Sequence, residues 1–276
     1  MHYDPIKRSL GQLFNRRAWT RRLFYRLLDV LLLRTWHIHR AIKGFAKSRS
    51  GEDQIQVLDA GSGFGQYSDY LARKFPRWQI TGIDIKDEEV ASCQEFGKQA
   101  GLKNLEFKVA NLCNYVQPDT YDLILSVDVM EHIEADREVF SNLYKSLKPG
   151  GVLLISTPSD KGGSGVAHQG DTSFIEEHVR DGYGVQEISE KLKQAGFAEV
   201  DIQYTYGRPG HISWVLSMKH PITLLGHSKV WLFLLPFYYL LVMPFALILN
   251  WMDVNQTHHS GTGLMVWAKK ENNQTK

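Results

Sequence analysis

Asp59, Gly61, Ser62, Gly63 and Gly65 stand where an apolar run, Val57-Leu58, gives out and a helix-forming run, Tyr67 to Lys74, is about to begin. Three glycines on alternate positions let a strand turn sharply and bring bare backbone against a ligand. The spacing is G-x-G-x-G, and Gln66 occupies the place where the dinucleotide fingerprint G-x-G-x-x-G needs its third glycine. A phosphate-binding turn offers helix N-terminal amides to an anion. Here Asp59 puts a carboxylate into the same space, which suits a ligand carrying an amino or sulfonium group. Twenty-five residues further on, Asp84 closes a second strand, Gln79 to Ile83, and is followed by Ile85. An acid at that edge accepts both hydroxyls of a ribose. A third run, Leu105 to Ala110, ends at Asn111-Leu112, an amide and an apolar residue suited to the edge and face of adenine. A fourth, Tyr121 to Val127, ends in Asp128-Val129-Met130-Glu131-His132. Val127 joins the ligand-contacting set, and Glu131 and His132 stand at the mouth of the site.

The elements that must position these residues follow from the same pattern. The four strands precede a helix, Ala135 to Leu147, which Lys148-Pro149-Gly150-Gly151 closes ahead of a fifth strand, Val152 to Ser156. Residues 55–160 resemble a class I S-adenosylmethionine-dependent methyltransferase of the ubiquinone O-methyltransferase-like group. VLDAGSGFGQYS, TGIDIK, YDLILSVDVMEHI and LKPGGVLLISTP match its motifs in order. Each is common alone, and all four in register are specific. The resemblance implies a Rossmann-like α/β fold: a doubly wound sheet of seven strands with the last antiparallel. It also implies S-adenosyl-L-methionine as cofactor, with Asp59, Gly61, Ser62, Gly63, Asp84, Ile85, Asn111, Leu112 and Val127 around it.

Methyl transfer from a sulfonium needs an in-line nucleophile, a dry site and often a base. Three clusters offer groups for this. Asp128, Glu131 and His132 resemble the E-x-x-E-H of ubiquinone-biosynthesis O-methyltransferases, whose cluster lies near a divalent metal; Asp replaces the first Glu, and no metal is expected. His168, Glu176, Glu177, His178 and Arg180 lie in HQGDTSFIEEHVRDGYG, after the fifth strand, where the family places acceptor-binding residues. Either His168 or His178 could take a proton from an attacking hydroxyl, because neutral imidazole is available near pH 7. Asp253, His258 and His259 follow an apolar insertion, and the expected role is to cap it and return it to the sheet.

Composition divides the chain. Residues 1–50 hold twelve Lys/Arg against two acids, a net of +10, and the remainder carries −8. Apolar residues at three- and four-residue spacing, with Trp19, Phe24 and Trp36 among arginines, predict one or two amphipathic helices between Ile6 and Lys47. This is the composition of an interfacial membrane anchor, or of helices packed on the edge of the sheet. Nucleic acid is not expected as a partner, since the catalytic half is acidic and lacks a recognition module.

From Val230 to Met252 run twenty-three residues without a charge, long enough to cross a hydrocarbon core of about 30 Å. The run falls between two strands expected to pair antiparallel, Val200 to Tyr206 and Gly263 to Ala268, so it must leave and return on one side. Lys219, His220 and Pro221 make the stretch Ile212 to Leu225 a poor second span. Pro236 and Pro244 predict a kinked or re-entrant element. The expectation is a monotopic element, or an apolar lid buried over the substrate or in a homodimer interface. Both imply a hydrophobic or lipid-like acceptor. Cys93 and Cys113 show no metal or redox spacing, and no signal segment is evident. A cytoplasmic protein at the inner membrane face is expected. The segments are 1–50, basic and helical; 51–207 with 261–271, the catalytic domain; and 208–260, the insertion. The competing class is a membrane-tethered, non-catalytic scaffold.

Overall fold

The computed structural model describes residues 18–49, 51, 54–162, 179–228 and 230–272. The strands are β1 (Gln56–Ala60), β2 (Gln79–Asp84), β3 (Leu105–Val109), β4 (Tyr121–Val127), β5 (Leu147–Pro158), β6 (Glu199–Thr205) and β7 (Gly263–Lys269). They form one sheet in the order β3-β2-β1-β4-β5-β7-β6, in which β7 alone runs antiparallel to its neighbours. Parallel strands covered on both faces read as continuous apolar runs with a period-two division of side chains. In β1 and β4, Leu58 and Ile124 face one core with Phe140, Leu143, Ile188 and Leu192. Val57, Leu123 and Leu125 face the other, with Ile38, Ile42 and Leu71. The first core belongs to α5 (Asp136–Ser146) and α6 (Val185–Ala195), the second to α2 (Leu33–Ser48) and α3 (Gln66–Lys74).

β5 begins earlier than the expected Val152. Tyr121 already pairs with Leu147, and the register then shifts before Leu123 meets Val152. Lys148-Pro149-Gly150-Gly151 is thus an irregular strand entry, with Gly150 at φ 75°, rather than a helix stop.

The N-terminal segment forms two helices, α1 (Ala18–Leu31) and α2, parted at Leu32, whose backbone is extended (φ −90°, ψ 111°). α2 lies on the sheet face through Ile38, Ile42 and Phe45. α1 lies against the glycine turn and α4 (Asp87–Gln99). Arg21 donates to Phe64 O at 2.7 Å and to Ser92 O at 3.0 Å, and Tyr25 donates to the same Phe64 carbonyl. Its outer side leaves Trp19, Leu23, Leu27 and Val30 exposed.

The insertion is a helical hairpin. α7 (Arg208–Trp214), a π-helical turn (Val215–Lys219) and α8 (His220–His227) make the first arm, and α9 (Trp231–Asn255) the second. The first arm, expected to be a poor span, is helical because it packs on α9. Its widened turn sits just ahead of Pro221, where a proline ring collides with an ordinary α-helical carbonyl four residues back. Tyr238 and Tyr239 of α9 donate to the carbonyls of Leu216 and Ser217 in that turn, at 2.6 and 2.9 Å. Ser213 donates to Asn250 Oδ1 at 2.6 Å, inside the hairpin. Pro236 and Pro244 do not end α9, which continues through both for 25 residues. The chain turns back between α8 and α9 rather than at a proline. Away from the first arm, α9 leaves Phe233, Phe237, Leu240, Leu241, Phe245, Ile248 and Trp251 exposed, with Phe233 at 77% and Leu240 at 74%. These recur at helical spacing on one face and extend over about 27 Å.

Candidate functional site

β1, β2 and β4 all end at one edge of the sheet, beside the crossover from β1 to β4 where the strand order reverses. Open α/β sheets bind ligands there. Beyond β1 the turn is held by Gly61 and Ser62 amides donating to Ile83 O, at 2.9 and 2.8 Å. Gly61 adopts φ 84°, and a Cβ there would lie 2.4 Å from Val129 Cγ2, so no side chain fits. Gly63, at φ 50°, differs: a Cβ there would meet only Glu89 Oε2, at 3.8 Å. The space above this turn is open.

Asp84 fastens the turn to β2. Its Oδ2 accepts the Gly63 N–H at 2.8 Å and its Oδ1 the Lys86 N–H at 3.0 Å, leaving each oxygen a lone pair. Ile85, next in sequence, projects into solvent. Asp59 is 2% exposed, and Ser68 Oγ donates to its Oδ2 at 2.6 Å. Burial, reinforced by the charge of Asp84, pushes its carboxyl up to about 6. The Ser62 hydroxyl is buried and has no hydrogen-bond partner among the described residues. At the end of β3, Asn111 is exposed, with Oδ1 accepting the Cys113 N–H at 2.9 Å, and Leu112 is buried. The sequence-expected cofactor set is therefore gathered at one edge, around an open cradle.

The end of β4 supplies the other half. Val127 is half-buried, and Asp128 takes the left-handed conformation at φ 50°. The Asp128 carboxylate pairs with the guanidinium of Arg34. Glu131, only 1% exposed, accepts a hydrogen bond from Thr157 Oγ1 at 3.1 Å through Oε2. Its Oε1 has no partner among the described residues. Burial pushes Glu131 up, against the opposing pull of its own amide, His132, Thr157 and Arg34. His132 ends the 3₁₀ turn Met130–His132 and is partly exposed.

Arg34, Tyr67 and Tyr206 escaped the sequence reading. Arg34 interacts electrostatically with Tyr67, Tyr206 and Glu131, and its backbone N–H donates to the Tyr206 hydroxyl at 2.9 Å. Arg34 and Tyr67 engage each other through a side-chain hydrogen bond, which leaves Glu131 Oε1 beside them as a buried atom without a partner among the described residues. An orphan carboxylate oxygen next to that pair marks a place built for a polar group that is not part of the fold. A signal was present: Arg34 precedes Ile38 by four and Ile42 by eight, so it lies on the buried stripe of α2.

Two further clusters sort differently. Arg180 is turned away from the acceptor side that its loop suggested: its guanidinium pairs with Asp136 and donates to Tyr183 OH and Ile133 O, at 2.8 and 2.9 Å. It anchors the start of α5. His168, Glu176, Glu177 and His178 lie outside the described residues. Asp253 is fully buried at the foot of α9 and accepts from the amides of Tyr206 and Gly210, at 3.2 and 2.9 Å. His37 Nε2 meets its Oδ1 at 2.8 Å and His258 Nε2 its Oδ2 at 3.2 Å, whereas His259 is exposed. The cluster seals the return of the insertion and braces Tyr206. Among the described residues, no group of three or more His, Cys, Asp or Glu is arranged to hold a metal.

The strand order with its reversed β7, and a glycine turn after β1 facing an acid at the end of β2, define a class I S-adenosylmethionine-dependent methyltransferase fold. The chain belongs to a methyltransferase-domain family, which matches residues 52–200. It is 32% identical over 167 residues to phosphoethanolamine N-methyltransferase 1 of Arabidopsis thaliana, covering 57% of this chain and 32% of that one. It is 32% identical over 106 residues to malonyl-[acyl-carrier protein] O-methyltransferase 2 of Ilyobacter polytropus, covering 38% of this chain and 40% of that one. The chain thus spans about a third of the plant relative's length. Among solved structures, phosphoethanolamine N-methyltransferase 2 of Haemonchus contortus, with phosphomonomethylethanolamine and S-adenosylhomocysteine, superposes with a TM-score of 0.60. Identity is 20%, over 85% of this chain and 53% of that one. The cofactor of this fold is S-adenosylmethionine, and the residues present fit it: open space lies over Gly63, Asp84 beside it keeps a lone pair on each oxygen, and the neighbouring Ser62 hydroxyl is buried without a partner among the described residues.

Proposed function

We propose that this chain methylates a hydroxyl on a hydrophobic, lipid-like acceptor at a membrane surface, with transfer to an aryl or polyene carbon of a lipid precursor as the alternative. The observation that carries the reading is the exposed apolar face of α9, on a hairpin that springs from β6 and returns to β7. Lys219 and His220 stand exposed midway along the first arm. A charge there favours a hairpin lying obliquely in the interface, both ends on the cytoplasmic side, over an upright crossing. The outer stripe and arginines of α1 supply a second attachment.

When bound, S-adenosylmethionine supplies an electrophilic methyl on a sulfonium. Asp84 would hold the ribose hydroxyls, Ile85, Asn111 and Leu112 the adenine, and Asp59, the turn Gly61-Ser62-Gly63 and Val127 the aminoacyl and sulfonium end. The acceptor's polar end seats among Arg34, Tyr67 and Glu131. A hydroxyl, unlike a neutral amine, must lose its proton as it attacks, and the orphan Oε1 of Glu131, held by Thr157 from the other oxygen, is a base with nothing else to bind. His132 neighbours it. Desolvation by the acceptor's own apolar body raises the carboxylate's basicity further.

The acceptor is sought by mass spectrometry of lipid extracts from cells with and without the protein, where a species should lose one CH₂ unit. A Leu234→Glu, Leu241→Glu variant should leave liposomes and lose activity toward membrane-embedded acceptor while keeping cofactor affinity. A protein that ignores liposomes and stays soluble without detergent would make α9 a lid or a homodimer face. Retained cofactor binding with no turnover on any lipid extract would favour the scaffold. Glu131→Gln should abolish turnover; a fully active variant moves the base to His132, His168 or His178, each tested as alanine.

A further inference from the structure

A crevice of about 390 Å³ lies between α2 and the last turns of α9, lined by Trp36, Arg40, Lys43, Trp251, His39 and Asp29. It opens where the apolar face of α9 ends, so a molecule leaving that face meets it next. Arg40 is held at its rim by one guanidinium nitrogen, which donates to Val254 O and to Asn255 Oδ1, the latter at 2.7 Å. Its other nitrogens have no partner among the described residues, and the Lys43 ammonium makes no ion pair among them. The two cations stand three residues apart on α2 and therefore on one side of it. Asp29 also lines the crevice; its Oδ1 accepts from Gln66 Nε2 at 2.7 Å and lies 3.9 Å from His39 Nε2, so one oxygen is engaged by the wall rather than by the cations. His39 is stacked on Tyr70 at 3.6 Å between ring centroids and is kept neutral at ordinary pH by burial, adding no charge of its own. Trp36 and Trp251 flank the cations; Trp251 is exposed, and Trp36 donates its indole N–H to Val30 O at 3.2 Å. Indoles beside cations at the foot of an apolar helix are the pattern of the lipid–water boundary.

We propose that this crevice binds the phosphate of an anionic phospholipid, whose chains run along the exposed face of α9. The inference rests on the membrane reading above and adds a specific site to it. Arg40 and Lys43 meet the phosphate, the two indoles pack on the glycerol region, and the occupied site sets the depth and tilt of the hairpin. The acceptor edge of the sheet is then held toward the bilayer rather than free to swing about a greasy tether.

The test is co-sedimentation of the full chain with vesicles of phosphatidylcholine alone, or mixed with phosphatidylglycerol, for the unaltered protein, Lys43→Glu, and Lys47→Glu. Lys47 is exposed one turn further along α2, outside the crevice. The unaltered chain should prefer the anionic vesicles, and Lys43→Glu should lower that partition about tenfold, with Lys47→Glu changing it far less. Equal losses in the two variants would mean diffuse attraction by the basic N-terminal half, and the site would be wrong. Equal binding of the unaltered chain to both vesicle types would overturn the site while leaving the membrane reading intact. No binding to either would overturn both. Tryptophan fluorescence then separates lipid from free anion. A short-chain phosphatidylglycerol below its micellar concentration should shift the emission of the unaltered chain and not of Lys43→Glu. If inorganic phosphate produces the same shift at the same concentration, the crevice is a simple anion site and the lipid assignment falls.

Discussion

Asp59 and Asp84 sit one strand apart and do opposite things with their charge. Asp84 keeps its carboxylate solvated enough to bind, and Asp84→Ala should weaken S-adenosylmethionine by about 1.5–3 kcal/mol, roughly 10- to 150-fold in Kd, as charge-assisted hydrogen bonds do. Titration calorimetry reads this directly, and an unchanged Kd would remove the residue from the site. Asp59 is buried, with its carboxyl pushed up to about 6 against about 3.9 in an unfolded chain. The folded chain therefore holds that proton more tightly, so stability without cofactor falls as pH rises from about 4 to about 6, and the penalty is complete at neutrality. Asp59→Asn should raise the Tm of the cofactor-free protein at neutral pH and weaken cofactor binding. The cofactor's cationic end favours the carboxylate, so its affinity should hold above about pH 6 and decline below it. Proton release on binding near pH 5.5, measured in buffers of different ionisation enthalpy, checks the sign. A pH-independent Kd between about 5 and 7 would contradict it. Residues of this kind were legible in the sequence because a tight turn admits only glycine and its acids lie at strand ends. Arg34, Tyr67 and Tyr206 were not, because they come from α2, α3 and the exit of β6 and meet only once the chain is folded.

The sheet and most helices were legible for a related reason: buried parallel strands and amphipathic helices announce their periods. The insertion was harder. Lys219 and two prolines in α9 argued against a simple pair of helices, yet the arms are held by bonds that hydropathy does not register. Ser213 donates to Asn250 Oδ1, and both side chains are buried between the arms. Ser213→Ala alone leaves the amide of Asn250 unsatisfied and should cost about 1–3 kcal/mol, whereas Ser213→Ala with Asn250→Leu should cost less than the sum of the two single changes. Denaturant unfolding of the four proteins gives the coupling, and strict additivity would mean that the arms do not depend on this contact. Tyr238→Phe should act separately, loosening the π-helical turn whose Leu216 carbonyl it serves.

At the scale of the whole molecule, charge and grease are both concentrated outside the strands, in the N-terminal +10 segment and the uncharged run of α9. High salt should therefore release the protein from anionic liposomes only in part, since it screens arginines and leaves apolar contact untouched. Complete release in salt would mean that α9 never enters the bilayer. One helix belongs to both regimes. The inner side of α1 grips the carbonyl of Phe64 in the glycine turn through Arg21 and Tyr25, and its outer side carries Trp19, Leu23, Leu27 and Val30. On the proposed membrane attachment, lipid contact on the outer side of α1 would bear on the glycine turn through the Phe64 carbonyl. Linkage makes such coupling reciprocal: vesicles should tighten S-adenosylmethionine binding by the same factor by which S-adenosylmethionine strengthens partition onto vesicles. Arg21→Ala should bring both factors to one together; unchanged factors in that variant would mean that α1 does not couple lipid to methyl donor.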